Sequence, residues 1–303
     1  MQASSPAGRE TPPVPPSRVR RWLRTGPGRL AFFTLVAVVL FGILQVALMA
    51  VGWAAPDAPP VERAIGVLLR QCVPFVVAYL LVVRWVEGRP VDELAWRRIL
   101  ADGALGSAGG VLLIGVVVGL LWLAGSYVVT DVNPDAPWLR PLLVAGIGAA
   151  VSEEIIFRGM LFRIAQEESG TWAALAMSAL FFGGVHIANP NATLWSSFAI
   201  AVEAGLLLGA IFHVTRSLPL CMGVHMAWNF AQGTVFGIPV SGTKSRGWLV
   251  SEVSGPEWLT GGAFGVEASV ITVFLSLGVT VALLAWARRQ GTIVAWRPRR
   301  RLT

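Results

Sequence analysis

The sequence predicts an all-α membrane protein, a polytopic helical bundle with about eight transmembrane helices. Hydrophobic residues make up 55% of the 303 residues and charged residues only 14%, whereas about a quarter of the residues are charged in a soluble domain. The hydrophobic residues lie in long blocks, and about 20 of them in a row can cross the hydrocarbon core as a helix. Arginines are concentrated beside these blocks. This position favours arginines that flank membrane spans over arginines that bind nucleic acid.

The predicted spans are separated by segments rich in turn-forming residues, such as Ala-Pro-Asp-Ala-Pro-Pro at 55–60. Between the second and third spans, residues 90–101 mix charged and apolar side chains and predict an amphipathic helix on the membrane surface. The eight spans cover residues 30–53, 63–83, 104–124, 139–162, 172–187, 197–213, 218–236 and 265–286.

The charge distribution predicts the domain organisation and the orientation. Residues 1–29, which are rich in proline and arginine, are predicted to be a disordered basic cytosolic tail. Residues 30–287 are the predicted membrane domain, and residues 288–303 are a second basic cytosolic tail. Because arginines flank alternate ends of the eight spans, both termini are expected in the cytoplasm. We therefore expect a multi-pass protein of the plasma membrane, with the lipid bilayer as its surroundings.

Charged residues inside a predicted span are functional candidates, because burying one in a membrane costs about 2.5 kcal/mol or more. The fourth span contains Glu153, Glu154 and Arg158. Glu154 and Arg158 are four residues apart, so they share a helical face and can pair. Glu153 is rotated by about 100° from its neighbour and is predicted to be a free carboxylate. The alternative is a buried ion-pair network in which Glu153 has no role of its own.

The histidines lie in or at the ends of later spans. His186 follows Phe182 by four residues in the fifth span, and His225 precedes Asn229 by four residues in the seventh. Each pair therefore faces one way on its helix. His213 ends the sixth span, and we interpret it as an interfacial residue.

These residue types support hydrolysis by an activated water. A buried carboxylate next to a histidine can activate a water as general base, and histidine and asparagine donors can stabilise an oxyanion. Alternatively, Glu153, His186 and His225 are candidate ligands of a divalent metal such as zinc. The sequence contains neither an HExxH pair nor a GxSxG elbow.

The pattern resembles that of the CAAX protease and bacteriocin-processing family, also called the abortive-infection family, in its bacterial branch. The family has EExxxR on one helix, FxxxH on the next and HxxxN or HxxxD on a later one. The matching residues here, in the same order, are Glu153, Glu154 and Arg158, then Phe182 and His186, then His225 and Asn229. The resemblance covers about residues 139–236, which makes this segment the predicted catalytic core.

The resemblance implies an intramembrane endopeptidase of the CAAX-protease type. Glu153 would be the general base, working with His186, and His225 and Asn229 would form the oxyanion site. The Glu–Arg pair of the first motif would support the helix, and Phe182 would lie close behind the site. Family members are described both as metalloproteases and as glutamate-dependent proteases without a metal, so both chemistries stay open. The bacterial branch favours a membrane protein or peptide over a prenylated protein as substrate.

Glu203, in the sixth span, is a further candidate. At about 1.5 Å per residue, Glu153 and His225 lie roughly 10 Å below the cytosolic boundary, whereas His186 lies nearer the opposite side. Glu203 is predicted at about the depth of His186 and is a candidate partner of it or a metal ligand. We favour the interpretation of Glu203 as a carboxylate solvated near the outer interface.

Two other function classes are alternatives to a protease. One is a proton- or ion-coupled carrier, in which buried glutamate and histidine relay protons. Such carriers favour inverted repeats with broken helices in both halves, and the sequence shows no such symmetry. The other is a catalytically silent scaffold with the protease fold.

Overall fold

The computed structural model describes residues 18–296, and in this part of the chain the protein is a bundle of membrane helices. The predicted all-α polytopic fold class is therefore confirmed. The helices and strands, numbered in chain order, are α1 (Arg18–Leu23), α2 (Gly26–Ala50), α3 (Pro60–Glu87), α4 (Ile99–Leu123), β1 (Tyr127–Val132), α5 (139–169), α6 (171–188), α7 (Leu194–Thr215), α8 (218–235), β2 (Leu249–Val253), α9 (Glu257–Thr260) and α10 (Val270–Arg289).

Six helical runs among residues 18–296 are long and apolar enough to cross a membrane. One of them, Leu139–Ala188, is broken at Gly170, whose φ of 83° and ψ of 175° are not helical. A straight helix would separate Glu153 from His186 by about 50 Å, yet their side chains approach to 3.9 Å. The break therefore turns α5 and α6 back on each other. With α8 as a further helix, each of the eight predicted spans corresponds to a helix.

Parts of both predicted tails belong to the folded bundle. Residues 18–29 are helical for most of their length, and Thr25 caps α2 by accepting a hydrogen bond from the Gly28 N–H. At the other end α10 continues to Arg289, and the Val294 N–H and carbonyl both bond to Thr171. These contacts contradict disorder for 18–29 and a free tail for 288–296. Residues 1–17 and 297–303 lie outside the described residues.

Two regions outside the membrane helices also differ from the prediction. Residues 90–101 form two short 3₁₀ turns, Asp92–Leu94 and Trp96–Arg98, before α4 begins, and not one amphipathic helix. Strands β1 and β2 pair in an antiparallel ribbon, with Tyr127 opposite Val253. Strands so far apart in sequence give no hairpin pattern, which is why the sequence analysis predicted no ribbon.

Glycines allow the helices that carry the polar residues to pack closely. A Cβ at Gly106 of α4 would lie 2.1 Å from the carbonyl oxygen of Leu220 in α8. A Cβ at Gly205 of α7 would lie 2.6 Å from the Cα of Ala179 in α6. Both distances are below any real Cβ contact, so only glycine permits these approaches. The two contacts set the positions of α7 and α8 against the rest of the bundle.

A buried ion cluster ties three helices together at the arginine-rich end of the bundle. The Glu87 carboxylate of α3 lies 3.0 Å from Arg29 of α2, 2.8 Å from Arg89 and 2.8 Å from Arg163 of α5. We call these four residues the Glu87 cluster. It offsets the burial of Arg163 and so allows α5 to continue well beyond residue 162, where the predicted span ends.

Candidate active site

Glu153 and Glu154 occupy a short α-helical segment of α5, Ala149–Glu154, that lies between two π-helical segments. The π segments are Leu142–Gly148 and Ile155–Phe162. Such segments widen a helix locally and are frequent at functional sites. The two glutamates face different surroundings, because Glu154 is fully buried whereas the Glu153 side chain is 27% exposed.

The buried glutamate pairs with Arg158, as their spacing predicts. Glu154 Oε1 and Arg158 Nη1 lie 3.0 Å apart, and neither side chain has any exposed surface. The guanidinium also donates a hydrogen bond to the Ala204 carbonyl of α7 and lies 4.7 Å from the ring centroid of Phe182 in α6. The pair therefore connects α5 to both neighbouring helices.

Two histidines are oriented by their Nδ1 atoms, and both point Nε2 at the same carboxylate. His186 Nδ1 lies 2.6 Å from the Phe182 carbonyl oxygen, and His225 Nδ1 lies 2.9 Å from Glu154 Oε1. Because a carbonyl oxygen can only accept, His186 donates from Nδ1 and, when neutral, keeps a lone pair on Nε2. The two Nε2 atoms lie 3.9 Å (His186) and 4.0 Å (His225) from Glu153 Oε2.

The predicted placement of His186 near the opposite side of the membrane from Glu153 is wrong. The error lies in the end of the fourth span, since α5 continues to residue 169. Counted from the Gly170 break, Glu153 lies about 24 Å along α5 and His186 about 22 Å along α6. The two residues therefore meet at one level.

The gap between Glu153 and the histidines has the size of one water molecule. Glu153 Oε2 is buried and has no hydrogen-bond partner among the described residues. Separations of 3.9 and 4.0 Å are too long for direct hydrogen bonds. Two hydrogen bonds of about 2.8 Å that meet at about 90° span roughly 4 Å, so a single water can contact all three groups.

Asn229 follows His225 by one turn of α8. Its Nδ2 donates to the Ala145 carbonyl of α5 at 2.9 Å, which uses one of the two amide N–H groups. The second N–H is not used by this bond. Asn229, His186 and His225 also line one cavity, which agrees with the predicted proximity of these side chains.

This small cavity has a volume of about 30 Å³, enough for about two waters. We call it the catalytic-side cavity. Its apolar walls come mostly from α7 and α8. The polar side chains that line it are His186, Glu203, His225, Asn229, Ser241 and Glu267.

Glu203 is a buried residue, which overturns the interpretation that we favoured from the sequence. It is only 7% exposed and lines the catalytic-side cavity together with His186. In the described part of the chain, no hydrogen bond or ion pair joins its carboxyl group to another residue. His213 is buried too, with Nδ1 2.8 Å from Gln166 Nε2, and its interpretation as an interfacial residue stays a prediction.

Glu267 is a residue of the site that the sequence analysis missed. Its carboxylate accepts hydrogen bonds from the Gln232 amide at 2.9 Å and from the Ser241 N–H and hydroxyl at 2.8 and 2.9 Å. Burial raises the pKa of Glu267 to about 7. The overlooked signal is that this carboxylate falls inside the predicted span 265–286. The structure places it in a 3₁₀ turn, Val266–Ala268, just before α10.

The three predicted metal ligands, Glu153, His186 and His225, surround one gap. Within residues 18–296, no group of three histidine, cysteine, aspartate or glutamate side chains is arranged to hold a metal ion. The Glu153, His186 and His225 donors instead leave the space of one water between them. A divalent metal at this site therefore stays a prediction, and the reaction proposed below is argued through the water that this gap can hold.

The comparison with protein families matches the segment that forms this site. The family model described as type II CAAX prenyl endopeptidase Rce1-like matches residues 135–231. This range contains α5, α6, α7 and most of α8, and with them all four residues predicted to be catalytic. A search of curated proteins gives no match.

Proposed function

We propose that this chain, which belongs through residues 135–231 to the Rce1-like family of type II CAAX prenyl endopeptidases, hydrolyses peptide bonds with a water held by Glu153, His186 and His225. The family supports the coarser statement, a CAAX-type endopeptidase in a membrane protein of several spans. One observation supports the proposed role of the held water. It is the unpartnered Glu153 Oε2 atom, one water away from both Nε2 atoms.

In the first step the water attacks the carbonyl carbon of the scissile bond. Glu153 Oε2 takes one proton from the water as the new C–O bond forms. His186 accepts a hydrogen bond from the same water through its Nε2 lone pair, because its Nδ1 proton is committed to the Phe182 carbonyl. The pair of acceptors thus orients a lone pair of the water oxygen towards the substrate.

The electron pair of the carbonyl bond moves to its oxygen, which becomes an oxyanion. We assign its stabilisation to the free N–H of Asn229 and to the Nε2–H of His225. Because His225 donates from Nδ1 to Glu154, it can donate from Nε2 only as an imidazolium, which the adjacent carboxylates favour. The C–N bond then breaks, and the nitrogen takes up one proton in exchange for the one removed from water.

The substrate is proposed to be a membrane protein or a membrane-embedded peptide. The site lies more than 20 Å along α5 and α6 from the Gly170 break, by a rise of about 1.5 Å per residue. A substrate segment must therefore enter the bundle to reach Glu153. We further propose the plasma membrane as the location, with the arginine-rich end and both termini on the cytoplasmic side.

The test compares the termini of membrane proteins in host cells that express the wild type, Glu153→Gln or Glu252→Gln at matched levels. Glu252 is an exposed carboxylate of β2 and controls for the loss of one charge. New termini are expected with the wild type and the control and are expected to disappear with Glu153→Gln. Identical termini in all three strains, with each protein inserted and folded, would contradict the proposal and favour a carrier or a silent scaffold.

A further inference from the structure

We propose that Glu203 is a second proton-transfer residue of this site, which delivers a proton through water in the catalytic-side cavity to the leaving nitrogen. The inference rests on the proposed function and adds a residue to it. Glu203 is 7% exposed, lines the cavity together with His186, His225 and Asn229, and makes no hydrogen bond or ion pair with the rest of residues 18–296. An unpartnered buried carboxyl group must be satisfied by water in the cavity that it faces.

The charge balance of the site supports a proton on this group. Four carboxyl groups, those of Glu153, Glu154, Glu203 and Glu267, surround a site with one buried guanidinium, that of Arg158. Arg158 is already paired with Glu154 at 3.0 Å. Unpaired charges are costly in a protein interior. The four carboxyl groups are therefore most stable together when some of them are protonated and so uncharged. Glu203 lines the catalytic-side cavity and has no hydrogen-bond donor among the described residues.

The other groups that face Glu203 do not take over this role. Glu267 is held by Gln232 and Ser241, so its oxygens already accept three hydrogen bonds. Both histidines use Nδ1 for orientation, and their Nε2 atoms are already assigned to the attacking water and the oxyanion. Helix α10, which packs against the Glu203 segment, carries no titratable side chain between residues 270 and 287. Glu203 is therefore the group best able to exchange a proton with cavity water.

The step balances with one proton passed around the site. When the C–N bond breaks, the Glu203 carboxyl group releases its proton to a cavity water, which passes one to the nitrogen. The products are a carboxylic acid, an amine and the Glu203 carboxylate. The proton that Glu153 took from the attacking water then returns through water to Glu203. Both carboxyl groups regain their initial states, and no oxidant, reductant or further reactant is needed.

The experiment measures kcat and KM against pH in proteoliposomes. The variants are Glu203→Gln, Glu203→Asp and the control Glu252→Gln, and thermal unfolding checks that each is folded. The probe is a quenched fluorescent peptide that carries the cleavage sequence found in the comparison of termini. For Glu203→Gln we expect kcat to fall by about 100-fold, with KM within about twofold. For Glu203→Asp we expect a partial recovery.

The pH profile separates proton transfer from a structural role. The wild type is expected to lose kcat at alkaline pH, where Glu203, Glu267 and the His225 imidazolium give up their protons. Glu203→Gln should shift this limb, because the contribution of Glu203 is absent from it. A wild-type rate in Glu203→Gln overturns the inference, as does a lowered rate with an unchanged limb in both variants. Absence of cleavage by the wild type, or normal cleavage by Glu153→Gln, contradicts the proposed function itself, so the two failures are distinguishable.

Discussion

Replacing Glu154 by glutamine tests whether the buried ion pair both stabilises the fold and orients the active site. Glu154 Oε1 accepts from Arg158 at 3.0 Å and from His225 at 2.9 Å. Removing one partner of a buried pair costs about 3–5 kcal/mol, because the other charge stays buried. Arg158 would keep its bond to Ala204 and its contact with Phe182, worth about 2 kcal/mol. We therefore expect a loss near the lower limit, about 3 kcal/mol.

A double variant separates the two roles. In Glu154→Leu with Arg158→Met both charges are absent, so we expect the free energy of unfolding to return to within about 1 kcal/mol of the wild type. Cleavage should not return, because His225 Nδ1 has lost its acceptor. The assays are reversible unfolding in mixed micelles and cleavage in proteoliposomes, with Glu252→Gln as the control for charge. A Glu154→Gln variant as stable as the wild type, or a double variant that cleaves normally, would refute the reasoning.

Four further predictions follow from the packing and the charges. Glu87→Gln removes the carboxylate that three arginines share, but Glu93 and Glu167 still pair with them, so we expect the free energy of unfolding to fall by about 1–3 kcal/mol. Asp57→Asn, at an exposed site, should change it by less than about 0.5 kcal/mol. Equal effects of the two substitutions in thermal unfolding would contradict the cluster. Gly205→Ala should destabilise the protein by about 1–3 kcal/mol, because the new Cβ would lie 2.6 Å from α6. Gly184 has open space around it, so Gly184→Ala should stabilise the protein by up to about 1 kcal/mol. The opposite order of stabilities in thermal unfolding would refute the close packing. Burial raises the pKa of Glu267 from 4.5 to about 7, so its contribution to stability is present at acidic pH and is lost as the pH rises through this range. The free energy of unfolding should fall by about 3 kcal/mol in total. Unfolding measured at pH 5 and at pH 8 should show this fall in the wild type and not in Glu267→Gln. Cleavage should survive treatment with EDTA, because the proposed reaction uses only side chains and water. A loss of activity that added zinc restores would contradict this reaction.

The local features of the site follow directly from the sequence. Residues four apart share a helical face, so the spacing of Glu154 and Arg158 was enough to predict their pairing. The same rule put Glu153 on a different face, where the structure leaves its Oε2 atom without a partner. Glu267 was also within reach of the sequence, since it lies in a predicted span, but it belongs to no motif and lies outside the matched segment 135–231.

The sequence by itself determined the helical bundle and the eight helices that correspond to the predicted spans, because a membrane core requires each spanning segment to be apolar and to satisfy its own backbone hydrogen bonds. It could not determine where the helices end or which side chains meet. Arg163 looked like the flank of the fourth span, yet Glu87, distant in sequence, pairs with it at 2.8 Å and lets α5 continue to residue 169. That extra length puts His186 level with Glu153. Likewise, the cavity that Glu203 shares with Glu267 exists only because α7 packs closely on α6 through Gly205 and the segment before α10 returns to it. Contacts between distant segments decided these positions, since no local pattern encodes a partner that is brought close only by folding.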